Sequence, residues 1–131
     1  MSITLSEAEA VLTAVKTEAK RMGLVVSATV VDSRGDFKAA FRMDGANWFT
    51  ADVCRGKAFA SANFGVPSAD LAERAGNPVF QSLVAMHGGR IVLGQGAVPL
   101  KKGDQVIGAI GVSGASAQED EDIAKVGMRA I

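Results

Sequence analysis

Hydrophobic and polar positions recur along the chain with two periods, and these periods predict most of its helices and strands. Apolar positions at helical spacing predict a helix over about residues 5–22, which begins with a capping-box pattern from Thr4 to Glu7. A largely apolar, β-branched run at 24–31 and an alternating run at 36–42 then flank a turn that contains glycine. This second pattern predicts a β-hairpin.

The rest of the chain continues with three predicted helices, three strands and a final helix. In order these are helices at about 47–62, 68–71 and 78–86, strands at about 90–94, 97–101 and 105–113, and a helix that follows a second capping-box pattern from Ser116 to Glu119. Hairpins lie toward each end of the chain and do not alternate with helices. We therefore expect an α+β fold, with helices packed against a mainly antiparallel sheet of about five strands.

Length and composition restrict the classes of protein to consider. The chain has 131 residues, 48% of them hydrophobic, so we expect residues 1–131 to form a single domain. Lys+Arg and Asp+Glu number 14 each, which argues against binding to nucleic acid or to an anionic membrane. No signal-peptide or membrane-spanning pattern is visible, which indicates a cytoplasmic protein. Abundant glycine and few aromatic residues favour self-association, in which copies of the chain bury apolar surface together.

The segment Arg42-Met43-Asp44-Gly45-Ala46 is the strongest candidate for a polar site, because it lies between a predicted strand and a predicted helix. Arg42 is suited to hold a carboxylate through two parallel hydrogen bonds, and Asp44 is a candidate for proton transfer. An internal ion pair between the two side chains, which would only fix the corner, is the alternative interpretation.

Further along the chain, Lys57 lies one helical turn after Cys54, the only cysteine. Lys57 is a candidate to share an anion site with Arg42 or to lower the thiol pKa. A core cysteine beside a solvated lysine is the alternative. The acidic cluster 119–122 is a candidate cation site, or it is a helix start favoured by the helix dipole.

Two more features are candidates for chemistry. His87, the only histidine, follows the predicted 78–86 helix, so it is a candidate haem-iron ligand or general base, or simply a helix-terminal cation. The segment that contains Gly111, Ser113 and Gly114 leads into the last helix. Its backbone amides are suited to hold a carboxylate or phosphate, or it is a tight turn that requires small residues.

Several of these pieces occur together in one known family. They are Val31-Asp32 with Gly35, the 42–46 corner, Lys57-Ala58, Gly88-Gly89, Pro99, and Gly108-Ala109-Ile110-Gly111-Val112-Ser113-Gly114 followed by Asp120. The chain resembles the GlcG/HbpS family, which is related to the C-terminal domain of PduO-type proteins, over nearly its whole length. The resemblance implies a profilin-like or PAS-like fold, assembly into dimers, tetramers or octamers, and haem as a candidate cofactor. Haem-binding relatives carry a histidine in or near the first helix, whereas residues 5–22 here contain none.

Two functional hypotheses follow. In the first, the protein binds a small anionic ligand, with haem as a candidate, near the corner. Arg42, Asp44 and Lys57 would be the polar contacts, and Gly111, Ser113 and Gly114 would form a backbone wall. In the second, it is a small catabolic enzyme, such as a lyase, isomerase or hydrolase, that acts on a carboxylic acid, with Asp44 or His87 transferring a proton.

Overall fold

The computed structural model describes residues 1–131, which form five helices and four strands. In chain order these are α1 (Leu5–Arg21), β1 (Ser27–Asp32), β2 (Phe37–Arg42), α2 (Thr50–Phe64), α3 (Ser68–Ala72), α4 (Pro78–Met86), β3 (Ala97–Lys102), β4 (Gln105–Ser113) and α5 (Ala117–Met128). None of the helices combines the length and the apolar character that crossing a bilayer requires.

The strands form one antiparallel sheet in the order β2-β1-β4-β3. The expected α+β fold is confirmed, but the sheet has four strands because the segment 90–94 joins no strand. The Val92 N–H donates to the Gly56 carbonyl oxygen at 3.2 Å, so this segment lies against α2. Ile91 is buried against Ala60 and Leu71, whereas the other apolar residues of the segment are half-buried.

The two faces of the sheet are covered differently, because strand side chains alternate between faces. Helices α1 and α5 bury a large aliphatic core on one face, which includes Val11, Val15, Val30, Ile110 and Ile123. Helix α2 covers the other face, where smaller residues allow it to approach the strands closely: Ser27, Thr29, Val31, Ala58, Ala62, Ala109 and Gly111.

The predicted helix starts are confirmed by their hydrogen bonds. Thr4 Oγ1 accepts from the Glu7 N–H at 3.1 Å, and Glu7 Oε1 accepts from the Thr4 N–H at 3.0 Å. Ser116 and Glu119 form the equivalent pair at the start of α5. These reciprocal bonds satisfy amide donors that a helix leaves free at its N-terminus.

Candidate functional site

The corner between β2 and α2 is fixed by backbone contacts and by Arg42. Arg42 Nη1 donates a hydrogen bond to the Ala46 carbonyl oxygen at 3.0 Å. Gly45 has a φ of 87°, a conformation that favours glycine. Asp44 is exposed and forms no ion pair with Arg42. The corner is therefore held by a side-chain-to-backbone bond, and the carboxylate of Asp44 remains free.

Arg42 and Asp44 line one groove together with two lysines of α1. This corner groove has a volume of about 340 Å³ and is lined by Lys16, Lys20, Phe41, Arg42, Met43 and Asp44. The ammonium of Lys16 lies 5.8 Å from the centre of the Phe41 ring. Phe41 and Met43 also pack against the aliphatic core, so they give the groove an apolar floor. Three cations and one carboxylate surround that floor.

Lys57 lies away from this groove, in an ion pair closed off from water. Its Nζ donates to Asp120 Oδ2 at 3.4 Å and to the Val112 carbonyl oxygen at 3.1 Å. Lys57 and Asp120 are 6% and 3% exposed, so the interpretation of Lys57 as a solvated side chain is wrong. Burial raises the pKa of Asp120, although the Ala115 N–H and the Lys57 ammonium favour its ionised form. Gly96 covers the pair, and a Cβ there would lie 2.8 Å from Lys57 Nζ.

The thiol of Cys54 is buried in the contact between α2 and the sheet. It lies 3.2 Å from Thr29 Oγ1 and 3.3 Å from the Ala51 carbonyl oxygen. Burial raises its pKa to about 11, which outweighs the opposite effect of Thr29 and Lys57. The hypothesis that Lys57 activates this thiol is therefore wrong. The alternative interpretation, a core cysteine, is confirmed.

The glycine-rich end of β4 packs against the protein's own backbone. A Cβ at Gly111 would overlap the carbonyl oxygen of Cys54 in α2, and a Cβ at Gly114 would lie 2.7 Å from the Val25 carbonyl oxygen. Ser113 is 5% exposed and lies opposite Ser27 in the ladder. None of these three residues lines the corner groove.

His87 caps the C-terminal end of α4, as the helix-terminal interpretation expects. Its Nδ1 lies 2.8 Å from the Leu83 carbonyl oxygen. Because a carbonyl only accepts, Nδ1 carries the proton in this contact and Nε2 is left without a partner. Asp44 lines the corner groove and His87 does not, so the structure does not bring the two candidate proton-transfer residues into one cavity.

A second polar cavity lies between α2 and the turn that follows His87. This arginine cleft has a volume of about 300 Å³. It is lined by Asp52, Arg55, Gly56, Phe59, Gly88, Gly89 and Arg90. Nowhere in the chain do three His, Cys, Asp or Glu side chains come together in a group that could hold a metal ion.

Several residues of these sites were not found from the sequence. Lys16 and Lys20 lie four residues apart, so their common face on α1 was a usable signal. Arg55 and Arg90 come from distant segments, and no sequence pattern links them. Asp120 belongs to the acidic helix start and to the segments that carry the family resemblance, but no sequence pattern links it to its partner Lys57, 63 residues away.

Comparison with known proteins identifies the family. A family model described as haem degrading protein HbpS-like matches residues 3–129. The chain belongs to the HbpS-like family. A Citrobacter freundii relative, an uncharacterized 15.0 kDa protein in the dhaT-dhaS intergenic region, is 30% identical over 129 residues. That match covers 97% of this chain and 90% of the relative.

Solved structures of similar proteins share the whole fold of this HbpS-like chain. Klebsiella pneumoniae ORFY is 27% identical with a TM-score of 0.89, over 98% of this chain and 89% of that one. A double mutant of Streptomyces reticuli HbpS is also 27% identical, with a TM-score of 0.87, over 100% of this chain and 88% of that one. A PduOC:heme complex, at 22% identity, has a TM-score of 0.88 over 100% and 96% of the two chains and shows the same fold.

Proposed function

We propose that the protein binds an organic anion that combines carboxylates with a flat apolar face, and that the corner groove is its binding site. One observation carries this proposal. Lys16, Lys20 and Arg42, from two different elements, surround an apolar floor formed by Phe41 and Met43. Such a groove offers charge for carboxylates and dispersion contacts for a ring in the same place.

The electrostatics of the groove favour an anion with more than one carboxylate. Three cationic side chains face one acidic side chain, Asp44, and the groove is open to solvent on one side. Interactions there are partly screened, so each charge contributes modestly and several must act together. Arg42 is the best-placed of the three, because its bond to the Ala46 carbonyl oxygen already restricts the guanidinium.

Haem is the first ligand to test. The family is described as haem degrading, and the PduOC relative of solved structure is a heme complex. Propionates match the cations of the corner groove, and the porphyrin ring matches Phe41 and Met43. The groove contains no imidazole, because the only histidine, His87, lies at the end of α4. The first helix contributes Lys16 and Lys20 to the groove and contains no histidine. Recognition in this groove therefore rests on the carboxylates and the ring, and not on His87.

A comparison of haemin with iron-free protoporphyrin IX tests the proposal. Both are titrated into the wild-type protein, with absorbance in the Soret region for haemin and fluorescence for protoporphyrin. Arg42→Gln and Lys20→Gln are the groove variants, and Lys101→Gln is the matched control because Lys101 is exposed and pairs with no side chain. We expect saturable binding of both porphyrins, weakened about three- to tenfold by Arg42→Gln, as loss of one exposed charge-assisted bond predicts.

His87→Ala separates this proposal from its main competitor. Binding through the corner groove leaves both titrations unchanged in this variant. Haemin binding that is lost in His87→Ala and kept in Arg42→Gln would place the site at the end of α4 and overturn the groove assignment. Failure of both porphyrins to bind would exclude haem-type ligands altogether.

A further inference from the structure

The arginine cleft has features that the proposed function does not use. Asp52, Arg55 and Phe59 lie on one face of α2, at spacings of three and four residues, and Arg90 approaches them from the opposite wall. We propose that this cleft is a second binding site, which takes a small α-amino acid through its carboxylate and its ammonium group.

The two walls of the cleft are held together by a close backbone contact. Gly56 has no side chain, and a Cβ there would overlap Val92, so the 90–93 segment lies directly on α2. The Val92 N–H donates to the Gly56 carbonyl oxygen at 3.2 Å, which fixes the segment in register. The cleft is therefore already formed, and a ligand does not have to order it.

Both arginines are positioned by aromatic rings, and most of their donors remain free. The guanidinium of Arg90 lies 4.6 Å from the centre of Phe59, and that of Arg55 lies 5.6 Å from the centre of Phe37. The Arg55 guanidinium donates no hydrogen bond to the protein, and that of Arg90 donates one, to Asp36 at 3.3 Å. Guanidinium groups held in this way are suited to bind a carboxylate with paired hydrogen bonds.

Asp52 indicates which second group the ligand carries in addition to its carboxylate. Its carboxylate lines the same cleft and accepts no hydrogen bond from any protein group. A simple acid would bind to the arginines, but it would bring a like charge near Asp52 and leave that carboxylate without a partner. A ligand that also carries an ammonium group offers Asp52 a charge-assisted partner, which is stronger than a neutral hydroxyl. The arrangement therefore favours a zwitterion.

The size and lining of the cleft restrict the ligand further. Its volume of about 300 Å³ is at the lower end of the range for ligand pockets. Phe59 is the only hydrophobic side chain in the lining, and its ring already contacts the Arg90 guanidinium. A porphyrin or another large apolar molecule therefore does not match this cleft, so it is separate from the corner groove in ligand class as well as in position.

Matched pairs of ligands test the proposal by calorimetry at low ionic strength. Glutamate is compared with glutarate, and alanine with propionate, because the members of each pair differ in the ammonium group. The cleft variants are Arg55→Gln and Asp52→Asn. The matched control is Arg129→Gln, which removes a guanidinium that pairs with no acid. Circular dichroism and thermal unfolding confirm that each variant folds.

We expect saturable binding of at least one amino acid, and weaker binding of its partner without the ammonium group. Arg55→Gln lowers the amino-acid affinity at least tenfold, whereas Arg129→Gln does not change it. Asp52→Asn reverses the preference within a pair, an effect that a purely structural role of Asp52 would not produce. Absence of amino-acid binding, equal binding of glutamate and glutarate, or an unchanged affinity in Arg55→Gln would each overturn the proposal.

Discussion

At the scale of single residues, the ion pair of Lys57 and Asp120 has the largest predicted effect on stability. Both side chains are almost fully buried, and their remaining bonds go to the Val112 carbonyl oxygen and the Ala115 N–H. Lys57→Met leaves a carboxylate buried without its cation, and we expect this to lower the free energy of unfolding by about 3–5 kcal/mol. Urea unfolding measures the loss, with the exposed Lys101→Met as control.

A double-mutant cycle identifies the cause of that loss. Lys57→Met combined with Asp120→Leu removes both charges, so the double variant should be more stable than Lys57→Met alone. If the losses of unfolding free energy in Lys57→Met and in Asp120→Leu simply add in the double variant, the pair does not act as a unit. The same result would mean that Lys57 matters for packing alone.

The thiol of Cys54 is expected to be unreactive in the folded protein. Its pKa of about 11 leaves it protonated at pH 8, and it is covered by α2 and the sheet. A chromogenic disulfide reagent should label it only as fast as the protein opens, and rapidly in urea. A Ser6→Cys variant supplies an exposed thiol as control, because Ser6 lies on the surface of α1. Rapid labelling of native Cys54 would contradict the burial described above.

At the scale of elements, Gly111 determines how closely α2 approaches the sheet. A Cβ at this position would overlap the Cys54 carbonyl oxygen and would lie 3.0 Å from the Ala58 amide nitrogen. Gly111→Ala should therefore destabilise the protein by about 1–3 kcal/mol, since neither backbone can move freely. Thermal or urea unfolding measures this effect. Gly76→Ala is the control, because a Cβ at Gly76 meets nothing within 4 Å.

The start of α1 gives a pH-dependent contribution to stability. Hydrogen bonds from Lys102 and from the Thr4 N–H lower the pKa of Glu7 from 4.5 to about 2. The stability that Glu7 contributes is therefore complete above pH 4.5 and is lost as the pH falls toward 2. Glu7→Gln, which cannot ionise, should lose less stability over this interval in acid-unfolding experiments. An unchanged pH dependence would show that Glu7 has an ordinary pKa.

Helices with local signals were predictable from the sequence, whereas the strand predicted at about 90–94 was wrong. At the starts of α1, α4 and α5, each capping side chain bonds a backbone amide no more than three residues away. Capping patterns in the sequence therefore locate these helices. The segment 90–94 has the composition of a strand, but its neighbour is set by a glycine in α2 more than thirty residues earlier. Short apolar runs do not show whether a helix or a strand will cover them.

At the scale of the whole molecule, the sequence predicted individual site residues better than it predicted their grouping. Arg42 and Asp44 are close in sequence and do share a groove. Lys57 lies in the core and His87 at the end of α4, so these two candidates separate from the corner. Grouping depends on which elements pack together, and the lysines of α1 reach the groove only because that helix lies on the sheet.

Apolar surface that a single chain does not cover predicts self-association. Trp48 is 83% exposed and contacts Phe49 edge to face just before α2. Tryptophan is among the residues that most often anchor protein interfaces, where a side chain exposed in the single chain becomes buried. We expect sedimentation velocity to show concentration-dependent oligomers, and Trp48→Ser to shift the distribution toward the monomer. Leu5→Ser, which changes another exposed apolar residue, should leave it unchanged. A wild-type protein that stays monomeric at high concentration would contradict self-association, and oligomers that persist in Trp48→Ser would place the interface elsewhere.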